Sequence, residues 1–598
     1  MRTGLGKTRV AALALALALL AAACGGGDGD GDDTAGGEET GGDTATDAGG
    51  DADAGDDTAT DAGTGAATDT EDESAGDGAT LTFGTSNDPV VLDGILVSDG
   101  ESLRVIDQMF EGLVTLESGG TEIAPGLATE WETSEDGLEW TFTLRDGVTF
   151  HDGEPFNAEA VCFNFDRWYN FTGTFQNPDA TYYWQTQFGG FAENEVEGVP
   201  EDNLYESCEA PDETTVVMNL TRPSAAFLSS LSLTNFTMAS PAALEEFGAD
   251  EGEVGDDGIF RPSGTYGTEH PTGTGPFRFV EWTRNQRLVL ERNPDYWGEF
   301  PGNIQNLIFT PIPENAARLQ ALQAGDIDGY DLVDPQDFET ISGDENLQLL
   351  ERPAFNVGYL GFAQQNEPLD DLEVRKAIAH AINRQELVDA FYAGQGEVAT
   401  QFMPPALFGY ADDVTTYDYD PEMAQQILED AGYELPVEVS FGYPTDVSRP
   451  YMPNPQQNFE AMVADLEECC FTVQQESAIW SPDYLSQTNQ GAYGLYLLGW
   501  TGDVGDPANF LGTFFGSEQG QWGFDNQEIF DLLAEAEAET DEAARTELYE
   551  EANRVIMDFL PGLPYVHTKP ALAFSANVSG YEPSPVSLEP FSIVTVGE

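Results

Sequence analysis

Apolar and polar positions alternate at two periods along this chain, and the period changes from segment to segment. At period two, Leu81-Thr82-Phe83-Gly84-Thr85 reads as a strand, and so does Leu138-Glu139-Trp140-Thr141-Phe142-Thr143-Leu144-Arg145. The Asp146-Gly147 turn is expected to join the second of these to residues 148–156 as a hairpin. At helical spacing, Val105, Met109 and Leu113 predict an amphipathic helix over 102–116, and Val374, Ala377, Ile378, Ala381 and Ile382 predict another. Asp420-Pro421 is a helix start, its carboxylate placed to accept free N–H groups, and Gly432 is the matching stop. Strands alternating with helices predict an α/β fold. Residues 80–598 exceed what one hydrophobic core organises, so at least two lobes are required.

The uncharged run over 493–498 predicts a buried strand that empties into Gly499-Trp500-Thr501-Gly502-Asp503-Val504-Gly505-Asp506-Pro507-Ala508-Asn509-Phe510. Loops at strand ends are where folds meet ligands. Gly502 and Gly505 flank Asp503 and let the backbone approach a small molecule, while Trp500 supplies a flat apolar wall beside the charge. An amine suits that corner. Two other readings of the same residues stand beside it. One is a capping turn in which Asp503 and Asp506 accept local N–H groups. The other is a calcium loop, although one Asp-x-Gly-Asp supplies too few of the roughly six to eight oxygens that ion takes.

The ends of the chain change the picture. Arg2, Lys7 and Arg9 precede an uncharged run over 10–23 that finishes in small residues before Cys24, the layout of an export signal, so 1–23 is expected to be removed. That run is too short to cross a hydrocarbon layer of about 30 Å, and Cys24 after Leu20-Ala21-Ala22-Ala23 is expected to carry a lipid anchor at the membrane's outer face. Ala21 stands where such sites usually have Leu, so a plain secreted form is the other reading. Residues 25–79 hold eighteen carboxylates, no Lys or Arg, and no apolar side chain larger than Ala. Such a segment cannot bury enough to offset its ordering entropy, and 24–79 reads as a disordered acidic tether.

Residues 80–598 carry 91 acids against 18 bases, a formal −73. Repulsion of that size excludes nucleic acid as a partner and points to a salt-rich habitat, where at about 1 M salt the screening length is roughly 3 Å. An exported chain meets oxidising conditions, so Cys162 and Cys208 are expected to bridge, whereas adjacent Cys469 and Cys470 form either a vicinal ring or two thiols. With His151, His270, His380 and His567 the chain's only histidines, no cluster has metal-ligand spacing, and no metal or cofactor is expected. His151 reads as structural.

Several segments then carry a resemblance. They are Gly126-Leu127-Ala128 to Trp131, the stretch through His151-Asp152-Gly153, and Ala158 to Asp166; then Thr274-Gly275-Pro276-Phe277 with Arg292-Asn293-Pro294-Asp295-Tyr296-Trp297-Gly298, and Pro368-Leu369-Asp370-Asp371 through Ile382-Asn383-Arg384. In this order they resemble the peptide-type solute-binding proteins of ABC importers, the family of dipeptide, oligopeptide and nickel receptors. The resemblance implies a two-lobed periplasmic-binding-protein-like fold of the large peptide-binding type, with an extra subdomain in lobe I. Lobe I would be 80–352 plus a return over 569–598, and lobe II 353–568, with crossings near Arg352-Pro353 and Thr568-Lys569.

Arg449-Pro450-Tyr451-Met452-Pro453-Asn454-Pro455 and the Gly499 loop look like the two motifs of the dipeptide-binding members. The resemblance implies that Arg449 takes a ligand carboxylate and Asp503 its amino group, with Trp500, Tyr451, Thr501 and Gly502 around them. It also implies a monomeric receptor, not an enzyme, that hands a short peptide to a membrane permease. Its rivals are a receptor of the same family for a nickel complex, haem, an opine or an oligosaccharide, and a secreted hydrolase. Against the hydrolase, the sequence has no nucleophile elbow, zincin helix or paired Ser and His motif.

Overall fold

The computed structural model describes residues 78–597 apart from 179, 256–259 and 588. The export signal, Cys24 and all but the last two residues of the acidic segment lie outside the described residues.

Two main sheets divide the described chain. The seven-stranded one runs, in spatial order, Phe277–Thr283, Arg287–Arg292, Ile304–Pro311, Ala79–Thr85, Gly329–Tyr330, Ala571–Ser575 and Leu347–Glu351. The six-stranded one runs Gly396–Glu397, Gly562–Thr568, Asn356–Phe362, Leu495–Thr501, Val437–Pro444 and Phe471–Ala478. Asn356–Phe362 and Gly562–Thr568 are buried at every residue, which is why they read as near-continuous apolar runs. A four-stranded sheet, Ala128–Thr133, Glu139–Leu144, Thr215–Leu220 and Tyr205–Asp212, adds a subdomain to the first half. The Cys162 and Cys208 sulfurs are bonded, tying the helix Ala158–Tyr169 to that sheet. Cys469 and Cys470 are also paired.

The chain passes from the first sheet to the second between Glu351 and Asn356 and returns between Thr568 and Ala571. Asn356 joins the two crossings. Its Nδ2 donates to the Thr568 carbonyl at 2.9 Å, and its Oδ1 accepts from the Thr568 N–H at 3.0 Å. Arg352, buried at the first crossing, donates to Asp331 and, at 2.7 Å, to Glu589, while Arg104 donates to Asp331 at 2.5 Å. A guanidinium out of water requires such pairing, because an uncompensated one costs several kcal/mol.

Local signals held where neighbours agreed with them. Leu372–Ala381 is a helix whose Asp371 side chain accepts from the Glu373 N–H. Pro421–Ala431 is another, with Asp420 accepting from the Met423 N–H and Gly432 at φ 91°. Two expectations fail. The helix expected over 102–116 stops at Ile106, and Val114–Leu116 is a strand. The carbonyls of Gln108 and Met109 instead accept from Phe277 N–H at 3.1 Å and Gly275 N–H at 2.9 Å, so tertiary partners replace the helical ones. Glu111, just beyond, accepts from Thr274 at 2.7 Å, Tyr296 at 2.9 Å and Trp297 at 2.8 Å, which accounts for the residue types in both of those segments. The hairpin expected from Glu139–Leu144 into 148–156 does not form either. Both edges of that strand are taken, by Ala128–Thr133 and Thr215–Leu220, and 148–156 closes on itself through a Thr149–Pro155 bridge. His151 Nε2 lies 3.0 Å from the Gly275 carbonyl.

Candidate ligand-binding site

Val437–Pro444 and Leu495–Thr501 are parallel neighbours, with Phe441 opposite Leu495 and Gly442 opposite Tyr496. Parallel strands release their following loops at the same edge of a sheet, so the Arg449 loop and the Asp503 loop leave together. They touch there. A Cβ at Gly499 would stand 2.4 Å from the Tyr451 ring, so only glycine lets that ring lie on the strand. The Tyr451 carbonyl accepts from the Tyr392 hydroxyl at 3.0 Å, and the Pro450 carbonyl from the Thr568 hydroxyl at 2.9 Å, which fastens the arginine loop to the return crossing.

Thr501 is the last residue of its strand, paired with Asn356, and the Gly502 N–H donates to the Phe355 carbonyl at 2.9 Å. A Cβ at Gly502 would stand 2.3 Å from the Phe355 ring, so Thr501 and Gly502 shape the loop through main chain and packing. Asp503 follows. Its Oδ1 accepts from the Tyr183 hydroxyl at 3.0 Å and its Oδ2 from Asn509 Nδ2 at 3.2 Å. Asn509 Oδ1 in turn accepts from the Asp503 N–H at 2.8 Å and from Trp500 Nε1 at 3.3 Å, which sets the indole beside the carboxylate.

Two aspartates in one loop therefore have different surroundings. Asp506 is buried and held by both Arg545 amino groups, at 2.8 and 3.0 Å, and it caps Ala508. Asp503 meets no cation within 4.0 Å among the described residues, and burial pushes its carboxyl up to about 6 against the pull of Asn509 and Tyr183. The capping reading thus fits Asp506. For the calcium reading, the described residues offer no group of three or more His, Cys, Asp or Glu placed to hold a metal.

Arg449 is the complementary case. Its guanidinium lies over Trp480 at 4.6 Å, its Nε is buried without a hydrogen-bond partner, and no carboxylate lies within 4.0 Å among the described residues. Arg104, Arg167, Arg318 and Arg352 also each leave one buried nitrogen without a partner, but their other nitrogens are held by carboxylates or carbonyls, and Arg375 donates to four carbonyls and Arg384 to three. Arg449 borders a pocket shared with Val333 and Phe338 from the first half and Tyr392 and Thr568 from the second.

The first half also supplies residues that sequence reading missed. Tyr183, from the short helix Tyr182–Gln187, reaches Asp503 from 320 positions away, and Val504 packs into the core of the first half. Nothing local marks Tyr183 beyond the aromatic run Tyr182-Tyr183-Trp184. Trp480 was equally unmarked. The halves meet again where Glu537 accepts from Arg222 at 3.0 Å and from the Ala225 N–H at 3.2 Å.

A family model of the bacterial extracellular solute-binding proteins, family 5, matches residues 122–522. The chain belongs to this family. Among similar proteins, the dipeptide-binding protein of Escherichia coli is 34% identical over 502 residues, covering 82% of this chain and 89% of that protein. The heme-binding protein A of Haemophilus influenzae is 31% identical over 530 residues, covering 86% and 92%. In three dimensions, a dipeptide-binding protein from Pseudoalteromonas sp. SM9913 in complex with Met-Leu matches with a TM-score of 0.72 at 25% identity, over 87% of this chain and all of that one. The periplasmic binding protein DppA of Helicobacter pylori, in complex with the peptide STSA, matches at 0.71 and 26% identity, over 87% and 98%. The two-lobed α/β fold of family 5 is thus the fold of this solute-binding protein. Among the described residues, no helix is long and apolar enough to cross a membrane.

Proposed function

We propose that this solute-binding protein captures a dipeptide between two lobes and passes it to the permease of an ABC importer. Residues 80–352 with 569–598 form one lobe in this reading and 353–568 the other. Acylated Cys24 and the acidic tether hold the protein, as a monomer, at the outer face of the membrane. The observation that carries the reading is an unpaired carboxylate and an unpaired guanidinium on loops leaving one sheet edge together. Asp503 takes the ligand ammonium, and Arg449 forks onto the ligand carboxylate with two parallel hydrogen bonds. Trp500 and Tyr451 wall the site, and water excluded on closure strengthens both pairs. The dipeptide-binding names of relatives at 34% and 25% identity support the ligand class.

The test is calorimetry with a free dipeptide, its N-acetyl form and its C-terminal amide. The free dipeptide binds, and each blocked form loses most of its affinity. Equal binding of all three would overturn the two-charge clamp.

A further inference from the structure

Lys569 is a second cation in the pocket beside Arg449, and the clamp leaves it unused. It is one of only two lysines after residue 79. The other, Lys376, is paired with Glu373 at 2.9 Å. Lys569 stands at the return crossing, where its N–H donates to the Gln395 carbonyl at 2.9 Å, so the root of its side chain is fixed. It is exposed and lines the pocket with Arg449, and neither has a carboxylate within 4.0 Å among the described residues. Asp334 is the only acid lining this pocket, and its two oxygens accept from the Gln336 N–H at 3.1 Å and side-chain amide at 2.8 Å.

Acids outnumber bases 91 to 18 over 80–598, so two cations lining one pocket, neither with a carboxylate within 4.0 Å among the described residues, stand out against the rest of the chain. Their chemistry differs usefully. A guanidinium matches a planar carboxylate held in one orientation, whereas an ammonium on a flexible stem can follow a second anion over a range of positions. Around them, Val333, Phe338, Tyr392 and Pro453 make an apolar lining suited to methylene groups.

We propose that this pocket is a subsite for an acidic side chain on the ligand's C-terminal residue. Arg449 holds the α-carboxylate, Lys569 holds the side-chain carboxylate of Asp or Glu, and the apolar lining holds the methylenes between. Two cations lining one pocket disfavour a Lys or Arg side chain there. The inference rests on the reading that Arg449 takes the α-carboxylate.

The experiment measures affinities for Ala-Glu, Ala-Gln and Glu-Ala by calorimetry, at the lowest salt in which the protein melts cooperatively. Ala-Glu binds about two- to fivefold more tightly than Ala-Gln, the scale of one exposed ion pair. Glu-Ala, with the acid in the other position, shows no such gain. In Lys569→Gln the ratio of Ala-Glu to Ala-Gln affinity falls to about one, and Lys569→Arg restores it. Equal affinities in the unaltered protein overturn the subsite, as does a ratio that survives Lys569→Gln; the first comparison needs no variant to fold. Dipeptides that bind without this preference remove the subsite alone. Failure of every dipeptide to bind removes the clamp reading and the subsite with it.

Discussion

Asp503 and Asp506 share one loop, yet only Asp506 has an arginine. Removing one member of a charge pair strands the ligand's opposite charge, so Arg449→Ala or Asp503→Asn should each cost about 2 to 5 kcal/mol of binding, roughly thirtyfold to several thousandfold. Calorimetry reads the loss, and melting curves separate it from unfolding. The raised Asp503 carboxyl, about 6 against an ordinary 3.8, adds two pH dependences of opposite sign. Between those values the folded state holds a proton the unfolded chain has released, so the contribution of Asp503 to stability is present at low pH and lost as pH rises toward 6. Ligand binding needs the ionised form, so affinity rises over the same window. Melting without ligand and titration with it, at pH 4.5 and 7, should show the two trends diverging, and Asp503→Asn should flatten the first.

At the scale of elements, the parallel pairing of Val437–Pro444 with Leu495–Thr501 releases the two loops at the same end of the sheet, and Asn356 joins the two crossings between the sheets. Asn356 is almost fully buried, so Asn356→Ala removes the side-chain partners of the Thr568 N–H and carbonyl inside the fold. The expected loss is about 1 to 3 kcal/mol of stability, read from denaturant melts. Because Thr568 also holds the Pro450 carbonyl, the same variant should weaken dipeptide binding beyond what Asn356 could do by contact. A change in stability with unaltered affinity would show that the crossing does not position the arginine loop.

Over the whole molecule, the formal −73 of residues 80–598 understates the one-sidedness of the surface. Arg104, Arg318, Arg352, Arg375, Arg384 and Arg545 are buried, which removes six of the eighteen cations from contact with solvent. Self-repulsion among the remaining surface carboxylates acts against the compact state and is screened as the Debye length shrinks from about 10 Å at 0.1 M to about 3 Å at 1 M salt. The melting temperature should therefore climb steeply over that range of NaCl. A flat curve in calorimetry would show that the acidic surface carries no such strain.

What the sequence determined by itself was whatever depends on neighbours a few positions away. The caps at Asp420 and Gly432, the presence of a buried strand ahead of Asp503, and the choice of Arg449 and Asp503 as charges worth attention all rest on local pattern or motif, although that strand runs on through Gly499 to Thr501, where pairing with Asn356–Phe362 extends it past the expected loop start. Tertiary structure decided the rest. The end of the first helix at Ile106 follows from N–H groups of Gly275 and Phe277, and the missing hairpin from two strands that already flank Glu139–Leu144. It also decided which aspartate stays unpaired, since Arg545 lies 39 residues from Asp506, and it set Tyr183 against Asp503 across 320. The physical reason is common to all of these. A hydrogen bond or ion pair between distant segments leaves no periodicity in either one, so its partners become known only when folding has brought them within about 3 Å.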